Sequence, residues 1–254
     1  MWQTLLLQPL LNALIAFYHL FGNLGTAIIG LTVSLRSLLL PLTLPTLKTA
    51  EKMKEIAPKL EKLKEKHKDD KEALAKAQMA LYREAGVKPF AGFLPQILQI
   101  VILIALYQAF RRVLGDNGGV EKVNDLLYSF LKLPESAELS LRFLYLKLTE
   151  PDTITLFGRQ VPGPFLIGAA VAQFLSAKVM MPAAEKEKEV AKQTENKSDD
   201  FSSMMRTQSM YLFPIMTLFI GMQFPSGLVL YWFVFSLFNL AQQFIIRRLK
   251  PSKQ

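Results

Sequence analysis

The chain has no cysteine in 254 residues, and its two histidines, His19 and His67, lie in unrelated segments. Disulfides, thiolate chemistry, thiolate metal sites and a lipid-modified N-terminal cysteine are excluded, and no metal centre is expected. Carboxylates are also missing where they would matter. None of the 21 Asp and Glu residues falls in the five long apolar runs Leu24–Leu47, Pro89–Phe110, Pro164–Met181, Tyr211–Phe224 and Gly227–Ile246. Proton-coupled transport usually needs a titratable acid or histidine inside the membrane, and these runs offer neither. There is no phosphate-binding glycine loop, no nucleophile–base pair and no HExxH zinc motif, so neither a cofactor nor an enzymatic activity is expected. Met1–Phe21 lacks the basic start and small-residue cleavage site of a signal peptide and is not an Arg-rich transit sequence, so nothing points to an organelle.

What is present is apolar. Hydrophobic residues make up 51% of the chain and the mean hydropathy is +0.24. Five runs of near-bilayer length predict an all-α, polytopic membrane protein with five transmembrane helices, at 22–47, 89–112, 163–181, 208–224 and 225–246. Gln208 and Ser209 begin the fourth at the interface. Lys and Arg set the orientation: twelve lie in 48–88, six in 178–206 and four in 247–254, against seven in 111–159. Basic segments stay inside, which predicts an outside N-terminus and a cytoplasmic C-terminus. Arg111 and Arg112 fall on the other side of this scheme.

Met1–Phe21 carries Thr4, Gln8, Asn12 and His19 along one helical face and reads as an interfacial amphipathic helix. The alternative is a sixth span, which would disturb the charge asymmetry. Residues 48–88 are polar and helical. Met53, Ile56, Leu60 and Leu63 form one apolar stripe, and Leu74, Ala77 and Leu81 a second, as in an antiparallel cytoplasmic hairpin. Asp69 with Glu72 resembles a capping box for the second arm, and Pro58 should kink the first arm or mark its start. Residues 113–162 form a long outer loop, with a short helix expected within Val123–Leu133 and strand-like alternation at Leu141–Leu148. Residues 182–207 make a second cytoplasmic loop, and 247–254 a basic tail.

Arg36 is the residue that composition alone does not explain. It is the one charge in Leu24–Leu47 and starts about 16–18 Å from either end, too deep to snorkel. An arginine at that depth costs about 2.5–3.5 kcal/mol on insertion scales. Gln99, Gln173 and Ser236 lie about 12–15 Å from the inner ends of their own spans, a depth similar to that of Arg36. Thr32 and Thr43 share its helix face, and Gln96 neighbours Gln99 by one turn. These polar groups can be interhelical hydrogen-bond glue. With no carboxylate in any span, a water-filled cavity around Arg36 is the better account of the set, its partner being water at rest and an acidic segment in use.

In order and spacing these segments resemble the YidC family of membrane protein insertases. Phe21-Gly22-Asn23-Leu24-Gly25 leading to Arg36 is similar to the family's first membrane helix. Lys52-Met53, Pro58-Lys59-Leu60, Lys66-His67-Lys68-Asp69-Asp70, Leu81-Tyr82-Arg83 and Gly86-Val87-Lys88-Pro89 resemble its hairpin. Phe90-Ala91-Gly92-Phe93-Leu94-Pro95 with Gln99 and Leu106-Tyr107 resembles the second helix. Phe224-Pro225-Ser226-Gly227-Leu228 and Leu230-Tyr231-Trp232 with Gln242 resemble the last. The chain departs from the family pattern at Lys88, Phe93 and Phe235-Ser236. It also lacks the large extra periplasmic domain of some bacterial members, so the minimal form is expected. The resemblance implies five helices around a hydrophilic groove lined by Arg36, Thr32, Thr43, Gln96, Gln99, Gln173, Trp232 and Ser236. It further implies nascent membrane proteins as clients, and a bacterial inner-membrane location. The hairpin (Lys59, Lys62, Lys66) and tail (Arg247, Arg248, Lys250) would face the ribosome, the signal recognition apparatus, the Sec translocon or lipid, and no small-molecule substrate is implied. The competing class is an anion channel or uniporter using Arg36 as its selectivity charge. Apolar outer halves, Ala27-Ile28-Ile29 and Val101–Ala105, favour a dead-end groove instead. A purely structural assembly factor is the third option.

Overall fold

The computed structural model describes residues 2–67, 70–87, 93–114, 120–180 and 208–249. A π-helical turn, Gln3–Leu7, runs into α1 (Gln8–Phe21), followed by α2 (Leu24–Lys66), α3 (Lys71–Glu84), α4 (Phe93–Leu114) and α5 (Val120–Asn124). Two small antiparallel hairpins come next: β1 (Arg142–Phe143) with β2 (Leu146–Lys147), and β3 (Thr153–Leu156) with β4 (Arg159–Pro162). They lead into α6 (Pro164–Met180); a second π-helical turn, Gln208–Leu212, opens α7 (Phe213–Gly221), and α8 (Ser226–Leu249) follows. Among the described residues, Gln3–Phe21, Leu24–Pro45 and Ser226–Ile245 are long and apolar enough to cross a membrane, and Pro164–Val179 and Met210–Gly221 are shorter apolar helices. Helix α4, at 22 residues, covers about 33 Å.

The corner between α1 and α2 follows from two residues. Gly22 takes a left-handed φ of 67° and closes α1 through its N–H to Tyr18 O, a conformation that glycine adopts without a Cβ clash. Asn23 is extended, and its Oδ1 accepts from the Gly25 and Thr26 N–H groups, capping α2. The polar face of α1 is fastened to the outer segment. Asn12 donates to Leu126 O (2.8 Å) and accepts from Tyr128 N (2.7 Å), Tyr18 Oη accepts from Ser140 N, and Asn23 donates to Arg142 O (2.7 Å).

Helix α2 is continuous for 43 residues through Pro41, Pro45 and Pro58, about 64 Å. The expected boundary at 47/48 is therefore no break, and Pro58 does not begin the arm. Twice the thickness of a bilayer, the helix must project beyond it, and its far end forms the first hairpin arm. Ile56 packs with Leu81 and Val87, flanked by Met53, Leu60, Leu63 and Tyr82, so the first stripe meets the second at Leu81. The cap of α3 is Asp70, whose Oδ1 accepts from Ala73 N (2.9 Å), one residue beyond the expected Asp69. Lys68 and Asp69 lie outside the described residues. At its end, Gly86 (φ 61°) and Val87 return their N–H groups to Arg83 O and Tyr82 O in a Schellman closure.

The outer segment folds onto the helix ends. The helix expected over Val123–Leu133 is displaced: α5 starts three residues earlier and ends at Asn124, a 3-10 turn follows at Ser129–Leu131, and Asn124 ties the stretch together by exchanging two hydrogen bonds with Leu133 (2.8 Å each). The alternation at Leu141–Leu148 is the β1–β2 hairpin, with Phe143 opposite Leu146. Leu126, Leu127, Leu133, Leu146 and Leu148 are buried in one core with Leu11, Leu14, Ile28, Leu106, Phe110 and Tyr231. This segment also holds the starts of two helices. Ser226 N donates to Glu150 O, Ser226 Oγ to Lys147 O and Gly227 N to Leu148 O at the head of α8. At the head of α6, buried Asp152 accepts from Leu166 N (2.8 Å) and from Tyr145 Oη (2.8 Å).

Candidate site around Arg36

Helices α2, α4 and α8 meet at Arg36. Its Nη2 donates to Gln99 Oε1 on α4 (2.7 Å), and its Cζ sits 3.6 Å above the Phe235 ring on α8. Gln99 in turn donates from Nε2 to Tyr231 Oη (3.1 Å), and Tyr231 is fully buried. The two α8 aromatics are one turn apart, so one face of that helix supplies both. The expectation that Arg36 is met only by water is corrected. Its partners among the described residues are a neutral amide and a ring face, which orient the guanidinium without neutralising it. A guanidinium has five N–H donors, so one bond to Gln99 leaves it able to take a carboxylate in a two-pronged grip.

The other expected site residues fall into separate clusters. Gln173 on α6 accepts from Thr217 Oγ1 on α7 (2.9 Å) and its Nε2 lies 3.5 Å from Ser236 Oγ on α8, while Ser236 donates to the Trp232 carbonyl (2.8 Å). Gln242 on α8 donates to Thr43 Oγ1 on α2 (3.2 Å). Thr32 is buried and donates to Ile28 O (2.6 Å) within its own helix. The Gln96 side chain lies outside the described residues. Glutamine thus plays two parts: Gln173 and Gln242 tie helices together, whereas Gln99 orients a charge. One turn beyond Gln173 on α6 and next to Gln242 on α8, Ser176 Oγ and Gln243 Oε1 are buried without a hydrogen-bond partner among the described residues.

Tyr231, Phe235, Thr217 and Gln242 were not expected as site residues. The signals for them were thin: an aromatic pair spaced by four on α8, and the sole hydroxyl between Leu212 and Gly221. An open apolar cleft of about 240 Å³ separates α6 from α7, lined by Ile167, Phe174, Tyr211, Pro214 and Leu218. Lys59, Lys62 and Lys66 are exposed on the far arm of α2. Arg247 and Arg248 lie in the last turn of α8 with their side chains outside the described residues, as is the whole of Lys250.

A profile of the family described as 60Kd inner membrane protein matches residues 16–253. The membrane protein insertase YidC of Pelobacter propionicus is 34% identical over 248 residues, covering 98% of this chain and 39% of the relative. That of Syntrophobacter fumaroxidans is 32% identical over 247 residues, covering 97% and 38%. That of Fusobacterium nucleatum subsp. nucleatum is 34% identical over 227 residues, covering 89% and 87%. The chain thus spans about two fifths of the first two relatives and most of the third. A solved structure described as "Active YidC insertase crystal structure with the first transmembrane domain resolved" aligns with a TM-score of 0.53 at 24% identity, over 90% of this chain and 43% of that one, a likeness of fold.

Proposed function

The chain belongs to the YidC family of 60Kd inner membrane proteins, a multi-pass inner-membrane family, and from that premise we propose that it inserts nascent membrane proteins into the bilayer. Arg36 attracts the polar, acidic segment of a client into a hydrophilic groove where α2, α4 and α8 meet, with Gln99 holding the guanidinium in place. The client's apolar helix leaves along α6 and α8 into lipid, driven by hydrophobic partitioning and the membrane potential, so no nucleotide is consumed. The N-terminus lies outside and the C-terminus in the cytoplasm, with α1 along the outer surface. The bonds that tie Asn12, Tyr18 and Asn23 to the outer segment support that placement of α1. Lys59, Lys62, Lys66, Arg247, Arg248 and Lys250 face the ribosome, the signal recognition apparatus, the Sec translocon or anionic headgroups.

One observation carries this reading. Arg36 is held at mid-span by Gln99 and Phe235, both uncharged, while the five apolar runs contain no Asp or Glu to neutralise it. A charge kept oriented and uncompensated in that setting has a passing anion as its natural ligand. The test is a purified chain in lipid vesicles given a single-span client whose leading segment is acidic, or has its Asp and Glu changed to Asn and Gln. Faster insertion of the acidic form, with the difference lost in Arg36→Ala, is expected. Equal insertion of both clients by wild type would overturn the role of Arg36, and anion conductance without insertion would replace the insertase by a channel.

A further inference from the structure

The β3–β4 hairpin is two-faced and uncovered. Antiparallel pairing puts Ile154 opposite Val161 and Leu156 opposite Arg159, so these four share one face, while Thr153, Thr155 and Gln160 share the other. Its two-residue loop is Phe157-Gly158, with φ of 51° and 75°, the left-handed pair of a type I′ turn. Asn-Gly would fill such a turn without strain; here a bulky Phe is forced into a conformation it disfavours. That Phe is 96% exposed, and Leu156 and Ile154 beside it are half exposed. A lone two-stranded hairpin is marginal in water and needs a surface to lie on. Among the described residues nothing covers this one.

Its attachment says which surface that is. Gly163 N donates to Asp152 O (2.8 Å), and the Asp152 carboxylate binds Leu166 N and Tyr145 Oη, so the base of the hairpin is fixed on the first turn of α6. Just past that base, Ile167 and Val171 of α6 are half exposed on the side that opens to the α6–α7 cleft. The Pro151–Pro225 bridge sets the hairpin base level with the start of α8, where the 20-residue apolar stretch Ser226–Ile245, about 30 Å long, meets one membrane boundary. Four strand steps from Thr153 to Phe157 measure about 13 Å, so a hairpin lying along that boundary carries its tip across the headgroup–acyl zone.

We propose that the β3–β4 hairpin is an interfacial lipid anchor, laying Ile154, Leu156 and Phe157 at the headgroup–acyl boundary of the leaflet where α6 begins, with Arg159 at the phosphates. Apolar tips beside a long cationic stem are the composition that such a boundary favours. Anchored there, the hairpin fixes the height of α6 in the bilayer. The inference needs α6 to span the membrane but does not need insertase activity.

The absence of cysteine makes the test clean. Phe157→Cys, Leu156→Cys and, on the polar face, Gln160→Cys each take one environment-sensitive fluorophore in the full chain, reconstituted alone in vesicles. Glu135→Cys, on another exposed loop, controls for the label's own affinity for lipid. Nitroxides carried on the headgroup or deep in the acyl chain, present in both leaflets, report depth whichever way the chain is oriented. Blue-shifted emission at 157 and 156, quenched more by the headgroup nitroxide, with water-like emission at 160 and 135, is the expected result. Water-like emission and no lipid quenching at both 156 and 157 would overturn the anchor, even in a chain that inserts clients normally. Equal quenching at all four positions would overturn it too, since the label alone would then explain the signal.

Discussion

Replacing Arg36 with alanine should separate stability from function. In the native site the guanidinium gains a charged hydrogen bond to Gln99, about 1.5–3 kcal/mol, and a face-on contact with Phe235, about 1–2 kcal/mol when largely desolvated. Against these stands the cost of holding the charge at mid-span, about 2.5–3.5 kcal/mol on insertion scales. The terms nearly cancel, so Arg36→Ala should unfold within about 2 kcal/mol of wild type. An arginine serving as one half of a buried structural pair would behave otherwise, since breaking such a pair costs about 3–5 kcal/mol. Activity should respond far more. One client carboxylate about 6 Å from the guanidinium, at an effective dielectric of about 20, is attracted by about 3 kcal/mol, or roughly 100-fold in occupancy. Thermal unfolding in mild detergent and insertion of the acidic client, measured on the same preparations, give both numbers. Strong destabilisation of Arg36→Ala with an unchanged preference for acidic clients would refute the reasoning and make Arg36 a structural residue. Gln99→Leu is the companion. It strips Arg36 of its acceptor and Tyr231 of its donor, and should cost about 1–3 kcal/mol of stability with the client preference retained.

Three further outcomes follow from the periphery. A Cβ on Gly163 would run into the Asp152 carboxylate, so Gly163→Ala should destabilise by about 1–3 kcal/mol, and the loss should shrink in an Asp152→Ala background, a double-mutant cycle read by denaturation. Ile56→Ala removes the central contact of the hairpin and should cost about 2–5 kcal/mol locally, seen as faster amide exchange in α3 while the membrane helices keep their protection. The Tyr145 hydroxyl is held above the ordinary tyrosine range, first by burial and then by its hydrogen bond to Asp152 and that residue's negative charge. The folded state therefore retains the phenolic proton more tightly than the unfolded chain. Its contribution is complete below about pH 10 and is lost as pH rises beyond, so alkaline unfolding should begin earlier in wild type than the Tyr145→Phe background predicts.

Features of the fold encoded in neighbouring residues were legible in the sequence. Gly22-Asn23 announced the α1–α2 corner because the left-handed closure and the side-chain cap are both local. The stripes Met53–Leu63 and Leu74–Leu81 announced the hairpin because they need only helical period. The cap of α3 slipped by one residue, since Asp69-Asp70 offers two adjacent carboxylates and only backbone geometry selects between them. The unbroken course of α2 was hidden because proline is read as a helix breaker. In a 43-residue helix the loss of three N–H donors is spread over many remaining bonds.

The site was half legible for a different reason. Arg36 stood out through an energy, the cost of charge at depth, which the sequence states on its own. Which groups meet that charge is decided by how α4 and α8 rotate against α2, and nothing local records rotation. Gln99 and Gln173 looked equivalent by depth, yet one turns to Arg36 and the other to Thr217 and Ser236. Trp232 was the expected aromatic and Tyr231 the one that arrived. Adjacent positions on a helix point about 100° apart, so neighbouring residues of α8 serve different sides of it, Tyr231 and Phe235 toward Arg36 and Ser236 toward α6. Helix α8 is thereby the element shared by the charged cluster and the neutral one. A change in its rotation would alter the surroundings of Arg36 and the packing of α6 together.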